Sequence, residues 1–177
     1  MNNHKGAVIW LTGIPGSGKT TIAEALVPVL RERGYPVEIL DGDEIRRNLS
    51  PDCGFSREDR ETHNKRVIFL SKLLARNGVI TLVPLISPYR EVRGLARREV
   101  GQFMEVWVKC SLDECIRRDP KGLYKKALAG QIKDLTGLQD TYEEPLDPEL
   151  VVETDRETLE ESVGRVLGKA RELGYVR

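Results

Sequence analysis

The sequence of 177 residues is poor in the residue types that build metal centres and disulfide scaffolds. Its three cysteines, Cys53, Cys110 and Cys115, are odd in number and show no C-x-x-C spacing. This pattern favours reduced thiols over disulfides or a zinc site, and leaves open a regulatory disulfide at Cys53. The only two histidines, His4 and His63, are too far apart in sequence to indicate a metal centre.

The chain also lacks net charge, because 28 Lys+Arg residues balance 28 Asp+Glu residues. Aromatic residues make up 6% of the chain, and no basic stripe is interleaved with them, so the sequence does not indicate nucleic-acid binding. No apolar run approaches the length that spans a membrane, and residues 1–6 lead into an apolar segment without an apolar leader. We therefore expect a cytoplasmic protein with neither a membrane nor a nucleic-acid partner.

Apolar strand-like segments alternate with helical patterns along the whole chain. The predicted strands are residues 7–12, 37–40, 79–85, 103–109 and 150–153. The predicted helices are residues 19–33, 57–76, 89–100, 112–118 and 156–172. This alternation predicts one α/β domain over residues 1–177, with a parallel sheet covered by helices on both faces. Residues 118–146 carry many charges, are long for a connection, and are predicted to form a mobile lid.

A phosphate-binding pattern, G-x-x-x-x-G-K-[ST], lies between the first predicted strand and the first predicted helix. It consists of Gly13, Ile14, Pro15, Gly16, Ser17, Gly18, Lys19 and Thr20. Glycines allow backbone N–H groups to face phosphate oxygens, Lys19 can reach the β- and γ-phosphates, and the Thr20 hydroxyl can ligate Mg²⁺. The alternative is a glycine-rich turn that merely links strand to helix. The context of strand, loop and helix favours a nucleoside triphosphate site.

Two carboxylates, Asp41 and Asp43, flank a glycine directly after the second predicted strand. Ligands of open α/β sheets bind at the carboxyl ends of the strands, so these groups can orient an acceptor hydroxyl, take its proton or hold Mg²⁺. Arg46 can clamp an anion. The alternative is a plain turn in which Asp43 caps a helix, and these residues alone do not decide between the two interpretations.

Further segments of the chain resemble the adenylyl-sulfate kinase family. They are D-G-D at 41–43, G-F-S-R-E-D-R at 54–60, I-S-P-Y-R at 86–90, R-D-P-K-G-L-Y-K-K-A at 118–127, T-G-L at 136–138 and Y-E-E-P at 142–145. The phosphate loop alone would indicate only a large superfamily of P-loop kinases. These elements in this order are specific, and they cover nearly the whole chain.

The resemblance implies transfer of the γ-phosphoryl group of MgATP to the 3′-hydroxyl of adenylyl sulfate, a step of sulfate assimilation. The products are 3′-phosphoadenylyl sulfate and ADP, and Mg²⁺ is the expected cofactor. From the resemblance we also expect a homodimer and a functional link to an ATP sulfurylase. The alternatives are another small-molecule P-loop kinase, or a nucleotide-binding sensor that does not transfer phosphate.

Matched position by position, the resemblance assigns roles to individual residues. The implied catalytic residues are Lys19, Asp43 and Ser87, and the implied metal ligands are Thr20 and Asp43. The implied ATP-binding residues are the loop, Gly13 to Thr20, and Arg118. The implied substrate-binding residues are Asp41, Asp43, Arg46, Phe55, Arg60, His63, Ile86, Ser87, Lys121, Leu135 and Thr136.

Several of these residues also have plainer interpretations. Phe55 matches the position that stacks on the substrate adenine, and a core aromatic is equally natural. In part of the family the serine at Ser87 has been regarded as a phosphorylated intermediate. We favour a positioning role, since direct in-line transfer needs no protein nucleophile. The plainer interpretation of Ser87 is that it caps a helix whose first residue is Pro88.

Two positions depart from the family pattern. His63 stands where the family commonly has Asn, and Asn64 is one place displaced, which turns it about 100° around a helix. His63 is therefore the expected substitute, and its protonation is expected to make substrate binding depend on pH near neutrality. Leu135 stands where the family usually has Phe. If residues 55 and 135 sandwich adenine, one stacking face is lost.

Overall fold

The computed structural model describes residues 5–177, so residues 1–4, including His4, lie outside the described part. The strands are β1 Ala7–Thr12, β2 Val37–Ile39, β3 Ile80–Pro84, β4 Phe103–Lys109 and β5 Leu150–Glu153. They form a parallel sheet in the order β2-β3-β1-β4-β5. The central β1 lies between β3 and β4, and Trp10 is in register with Val83 on one side and Glu105 on the other.

Helices cover both faces of this sheet. They are α1 Lys19–Glu32, α2 Gly42–Leu49, α3 Arg57–Arg76, α4 Arg90–Val100, α5 Leu112–Arg118, α6 Leu123–Leu128 and α7 Leu159–Glu172. Successive strand side chains point to opposite faces. Ile9 accordingly packs in one cluster with α1 and α7, whereas Trp10 packs in another with α3 and α4. The predicted α/β architecture is confirmed.

Two short helices, α2 and α6, were not predicted. Helix α2 contains no buried residue, and α6 has only six residues within a basic segment, so neither has a sustained apolar period. The helix predicted from residue 156 begins at Leu159, because Thr158 and Glu161 form a capping box there. The formation of α2 and α6 and the start of α7 therefore depend on caps and local contacts rather than on hydrophobic periodicity.

The plainer interpretations of two site residues are wrong. Helix α2 is capped by Asp41, not Asp43: its Oδ1 accepts hydrogen bonds from the backbone N–H groups of Asp43 at 3.1 Å and Glu44 at 2.9 Å. Helix α4 is capped by Tyr89, not Ser87, and Ser87 has a left-handed backbone with φ of 40°. Both Asp43 and Ser87 are therefore available for other roles.

The segment predicted as a lid packs over the phosphate loop. Tyr124 and Leu135 form a third apolar cluster with Cys110 and Cys115, against which Ile14 of the loop packs. All three cysteines are free thiols. Within residues 5–177, no helix is long and apolar enough to cross a membrane.

Candidate active site

The phosphate loop joins the carboxyl end of β1 to the N-terminus of α1. A Cβ added at Gly13 would lie 2.4 Å from the carbonyl oxygen of Val108, so only glycine fits against the backbone of β4. Gly18 caps α1 with φ of 98°, a conformation that glycine adopts without strain. The loop thereby presents the positive end of a 14-residue helix, which is suited to an anion.

Lys19 lies almost fully buried within this loop. Its Nζ donates to the carbonyl oxygens of Gly13 and Ile14, both at 2.8 Å. Burial lowers the pKa of Lys19 to about 7; nearby Cys115 opposes this shift and Lys121 adds to it. An anionic phosphate beside Lys19 would favour its charged form.

One cavity of about 940 Å³ extends from the loop across the carboxyl ends of the strands. The predicted site residues that line it are Pro15, Gly16, Gly18, Lys19, Thr20, Asp41, Asp43, Arg46, Phe55, Arg60, His63, Ile86, Ser87, Arg118, Lys121, Leu135 and Thr136. Gly13, Ile14 and Ser17 of the loop do not line it. The volume is at the upper end of the range for small-molecule sites.

The acidic turn after β2 gives its two carboxylates different environments. Asp41 uses its side chain to cap α2. The Asp43 side chain is 63% exposed and forms an ion pair with Lys121 of the lid segment. Of the two carboxylates, Asp43 is therefore the more accessible, and the lid residue Lys121 lies directly against it.

Phe55 is 67% exposed at the mouth of the cavity. The guanidinium of Arg46 lies 4.9 Å from the ring centroid and donates to the carbonyl oxygen of Gly54 at 2.8 Å. One face of the ring is thus covered by a cation that also holds the loop. The other face can stack on a base.

Arg60 connects this loop to the lid segment. Its Nε donates to the Phe55 carbonyl oxygen at 2.9 Å, and its Nη2 donates to that of Asp134 at 2.7 Å. Its Nη1 donates to the Thr136 hydroxyl and pairs with Asp140 at 3.1 Å. These contacts occupy most of its N–H groups, so a bidentate grip on a substrate anion would require some of them to break.

His63 is 4% exposed, and its Nδ1 lies 3.0 Å from the Ser50 hydroxyl. Burial, with the nearby charges of Arg46 and Arg66, lowers the pKa of His63 to about 4. The expected titration near neutrality is therefore wrong, because the imidazole is neutral at pH 7. Asn64 is as buried as His63 and also lines the cavity, although its displacement along the helix had favoured His63 as the residue on this face.

Ser87 lies at the floor of the cavity with 2% exposure. Its hydroxyl accepts a hydrogen bond from the Trp10 indole at 2.9 Å and donates to the Thr12 hydroxyl at 3.2 Å. The Thr12 hydroxyl in turn donates to the Ile86 carbonyl oxygen at 2.7 Å. A hydroxyl that is held in this way supports the positioning role.

Arg118 is attached to the phosphate loop through a residue that the sequence did not suggest. It donates to the Thr154 hydroxyl at 3.1 Å and to the Thr154 carbonyl oxygen at 2.7 Å. The Thr154 hydroxyl donates to the Ser17 carbonyl oxygen at 2.7 Å. Thr154 directly follows β5, so the rule that ligands bind at the carboxyl ends of strands would have found it.

A second missed residue, Tyr124 of α6, is 1% exposed and donates to the Pro15 carbonyl oxygen at 2.7 Å. Leu135 packs beside it with 8% exposure. Gly137, with φ of 88°, approaches Ile14 so closely that an added Cβ would lie 2.8 Å from its side chain. The lid segment is thus fitted to the loop.

A sequence model of the adenylylsulphate kinase family matches residues 5–153. The chain belongs to the adenylyl-sulfate kinase family. A probable adenylyl-sulfate kinase of Pyrococcus abyssi is 56% identical over 97% of this chain and 99% of its own length. A structure of an APS kinase of Mycobacterium tuberculosis in complex with AMPPNP and APS is 40% identical, with a TM-score of 0.91, and covers 95% of this chain and 99% of the other.

A probable bifunctional SAT/APS kinase of Sorangium cellulosum is 50% identical over 97% of this chain, which corresponds to 29% of its own length. Family membership makes this chain an ATP-using phosphotransferase that converts adenylyl sulfate to 3′-phosphoadenylyl sulfate. The alternatives of another small-molecule kinase or a non-catalytic sensor are not supported.

Proposed function

We propose that this chain transfers the γ-phosphoryl group directly from MgATP to the 3′-hydroxyl of adenylyl sulfate within the single cavity described above. The observation that carries the proposal is that the phosphate loop and the acceptor residues line this one cavity. The structure of the relative from Mycobacterium tuberculosis holds both AMPPNP and APS, which supports the binding of donor and acceptor together in this chain. In-line transfer needs donor and acceptor together with water excluded, and little covalent chemistry from the protein.

ATP binds at the loop end of the cavity. Backbone N–H groups of the phosphate loop, other than at Pro15, and the N-terminus of α1 bind its phosphates, and Lys19 exchanges its carbonyl partners for the β- and γ-phosphate oxygens. Arg118 is held beside the loop by Thr154, where it can contact the nucleotide. These groups stabilise the negative charge that the transferred phosphoryl carries.

Adenylyl sulfate binds at the end formed by α2, α3 and the residues after β3. Phe55 stacks on its adenine with Leu135 opposite, and Arg46 faces its phosphosulfate anion. Asp43 accepts the proton of the 3′-hydroxyl, with Lys121 beside it. Asp41, Arg60, His63 and Thr136 shape the same end, and Ile86 and Ser87 position the acceptor.

Mg²⁺ fits the oxygen donors of the cavity. The Thr20 hydroxyl and the Asp43 carboxylate both line it, and such oxygen groups are the ligands that Mg²⁺ prefers. Among residues 5–177 there is no group of three or more His, Cys, Asp or Glu that could hold a metal. This fits an ion held by one or two protein oxygens together with substrate phosphates. When bound, the ion would neutralise charge on the transferred phosphoryl group.

The decisive experiment incubates the purified full chain with MgATP and adenylyl sulfate and measures ADP and the 3′-phosphorylated product. Asp43→Asn should lower kcat about a hundredfold or more, because the hydroxyl proton loses its acceptor. Glu44→Gln is the matched control, because Glu44 follows Asp43 on α2 but does not line the cavity. Full activity of Asp43→Asn would remove the base assignment, and turnover of another alcohol without turnover of adenylyl sulfate would overturn the substrate.

We also propose that residues 1–177 act as one domain and that the activity is functionally linked to an ATP sulfurylase. The bifunctional relative from Sorangium cellulosum supports this link. A homodimer is the expected assembly. Light scattering on the purified chain measures its mass directly, and a mass near 20.0 kDa would contradict the dimer.

A further inference from the structure

Ser87 adopts a backbone conformation that needs support from its surroundings. Its φ of 40° lies in the left-handed region, which residues with a side chain rarely adopt. The residue lies three positions after the end of β3 and lines the cavity, next to Ile86. Backbone strain at a functional site persists only where neighbouring groups hold it.

Arg93 of α4 is the group that holds this turn from behind. It is 2% exposed and does not line the cavity. Its Nη1 donates to the Ser87 carbonyl oxygen at 2.5 Å. Its Nη2 donates to the Glu143 carbonyl oxygen, also at 2.5 Å. One guanidinium therefore joins the turn after β3 to the end of the lid segment.

The charge of Arg93 is balanced from the opposite side. Its Nε donates to Glu105 of β4 at 2.8 Å, in a pair whose side chains are 2% and 10% exposed. Glu105 also pairs with Arg97, one turn further along α4, at 3.3 Å. A buried arginine with a buried carboxylate has a fixed orientation, because its planar fork leaves few other ways to satisfy both groups.

The end of the lid segment is attached to the same turn at further points. The backbone N–H of Glu143 donates to the Pro88 carbonyl oxygen at 2.8 Å, and the Glu143 carboxylate accepts from the backbone N–H of Arg90 at 2.7 Å. The Tyr142 hydroxyl lies 2.9 Å from that of Thr12, and its ring lies 5.6 Å from the Arg93 guanidinium. Arg93, like Thr12 of β1, contacts the turn, the sheet and this segment.

We propose that Arg93 is a positioning residue for the acceptor substrate. Through the Ser87 and Glu143 carbonyl oxygens it holds the turn of Ile86 and Ser87 in the conformation that adenylyl sulfate contacts, and fixes the end of the lid against it. The inference rests on the proposed placement of adenylyl sulfate beside Ile86 and Ser87. It predicts a specific effect on acceptor binding from a residue that touches neither substrate.

The test compares Arg93→Lys with Arg97→Lys in the full chain. Lysine keeps a positive charge near Glu105, but its single ammonium cannot reproduce the planar three-way contact of Arg93. We expect Arg93→Lys to raise the KM for adenylyl sulfate at least tenfold while the KM for ATP changes less than twofold. Arg97→Lys is the same substitution against the same carboxylate, but Arg97 contacts neither the turn nor Glu143, so both KM values should stay within twofold of the parent.

A merely structural role for Arg93 would lower the folded fraction and hence kcat, without separating the two KM values. Equal KM values for adenylyl sulfate in the two lysine variants would overturn the inference. Should Arg93→Lys fail to fold, Tyr142→Leu tests the contact of Arg93 with the end of the lid by removing the ring that lies 5.6 Å from its guanidinium. It should raise the KM for adenylyl sulfate about threefold, and no change would also overturn the inference. A parent chain that does not phosphorylate adenylyl sulfate would instead refute the proposed function.

Discussion

Single buried side chains at the acceptor end of the cavity have properties that their residue types do not reveal. His63 is neutral at pH 7 because burial opposes its charge, and the positive charges of Arg46 and Arg66 add to this effect. Arg60 is largely engaged with carbonyl, hydroxyl and carboxylate groups of the protein. The sequence shows a basic acceptor end, but only burial and contacts show which charges a substrate meets.

The lowered pKa of His63 predicts a loss of stability in mild acid. The pKa is about 4 in the folded chain and 6.5 as the ordinary value, so the unfolded chain takes up the proton first as pH falls. The stabilisation is complete above pH 6.5 and is lost progressively toward pH 4. Between pH 7.5 and pH 5, urea denaturation should show the parent losing about 1–2 kcal/mol more unfolding free energy than His63→Asn. Equal losses in the two proteins would contradict the shift.

The position of Leu135 predicts that its substitution by Phe increases the affinity for adenylyl sulfate. It is 8% exposed and lines the cavity, so a phenyl ring there could add a second stacking face opposite Phe55. Leu135→Phe should lower the KM for adenylyl sulfate about fivefold, which corresponds to roughly 1 kcal/mol, and leave the KM for ATP unchanged. Steady-state kinetics with each substrate varied measures both. An unchanged KM for adenylyl sulfate would refute the stacking interpretation.

At the scale of secondary-structure elements, two short helices deliver groups to the cavity. Helix α2 begins at Gly42 and places Asp43 in its first turn, while Asp41 caps it. Helix α6 places Tyr124 against the phosphate loop. Neither helix has a long apolar stripe. Each is stabilised instead by its cap or by a few contacts with neighbouring segments.

The hydrogen bond from Tyr124 of α6 to the phosphate loop predicts that the lid segment stabilises this loop. Tyr124→Phe removes the hydroxyl that donates to the Pro15 carbonyl oxygen but retains the ring. We expect a loss of about 1 kcal/mol of unfolding free energy and a several-fold rise in the KM for ATP. Denaturation and kinetics measure the two effects. Tyr175→Phe is the control, because its hydroxyl contacts the Phe103 carbonyl oxygen away from the loop. A KM for ATP equal in both variants would contradict this role.

At the scale of the whole molecule, the strand order separates the two halves of the site. The central β1 carries the phosphate loop, β2 and β3 lie on one side, and β4 and β5 lie on the other. Asp43 and Ser87 follow β2 and β3, whereas Arg118 and Thr154 come after β4 and β5. Donor and acceptor groups therefore meet across β1, and the lid segment spans both.

The lid predicts a ligand-dependent change in backbone protection. The part of the lid around Lys121 contacts the rest of the cavity through an ion pair with Asp43 whose side chains are 59% and 63% exposed. Such pairs contribute little stability alone. An ATP analogue and adenylyl sulfate added together should slow amide hydrogen exchange in this segment, whereas residues 65–76 of α3 should stay unchanged. Exchange that is equal with and without both ligands would contradict a mobile lid.

The sheet strands, the long helices and the phosphate loop could be predicted from the sequence, because buried strands, apolar periodicity and the glycine pattern are local signals. The family resemblance extended this to the acceptor residues. Tertiary structure alone decided that Asp41 caps α2 and leaves Asp43 accessible, that His63 is neutral, and that Arg93 joins Ser87 to Glu143. These properties depend on burial and on contacts between residues distant in sequence, which no local pattern contains.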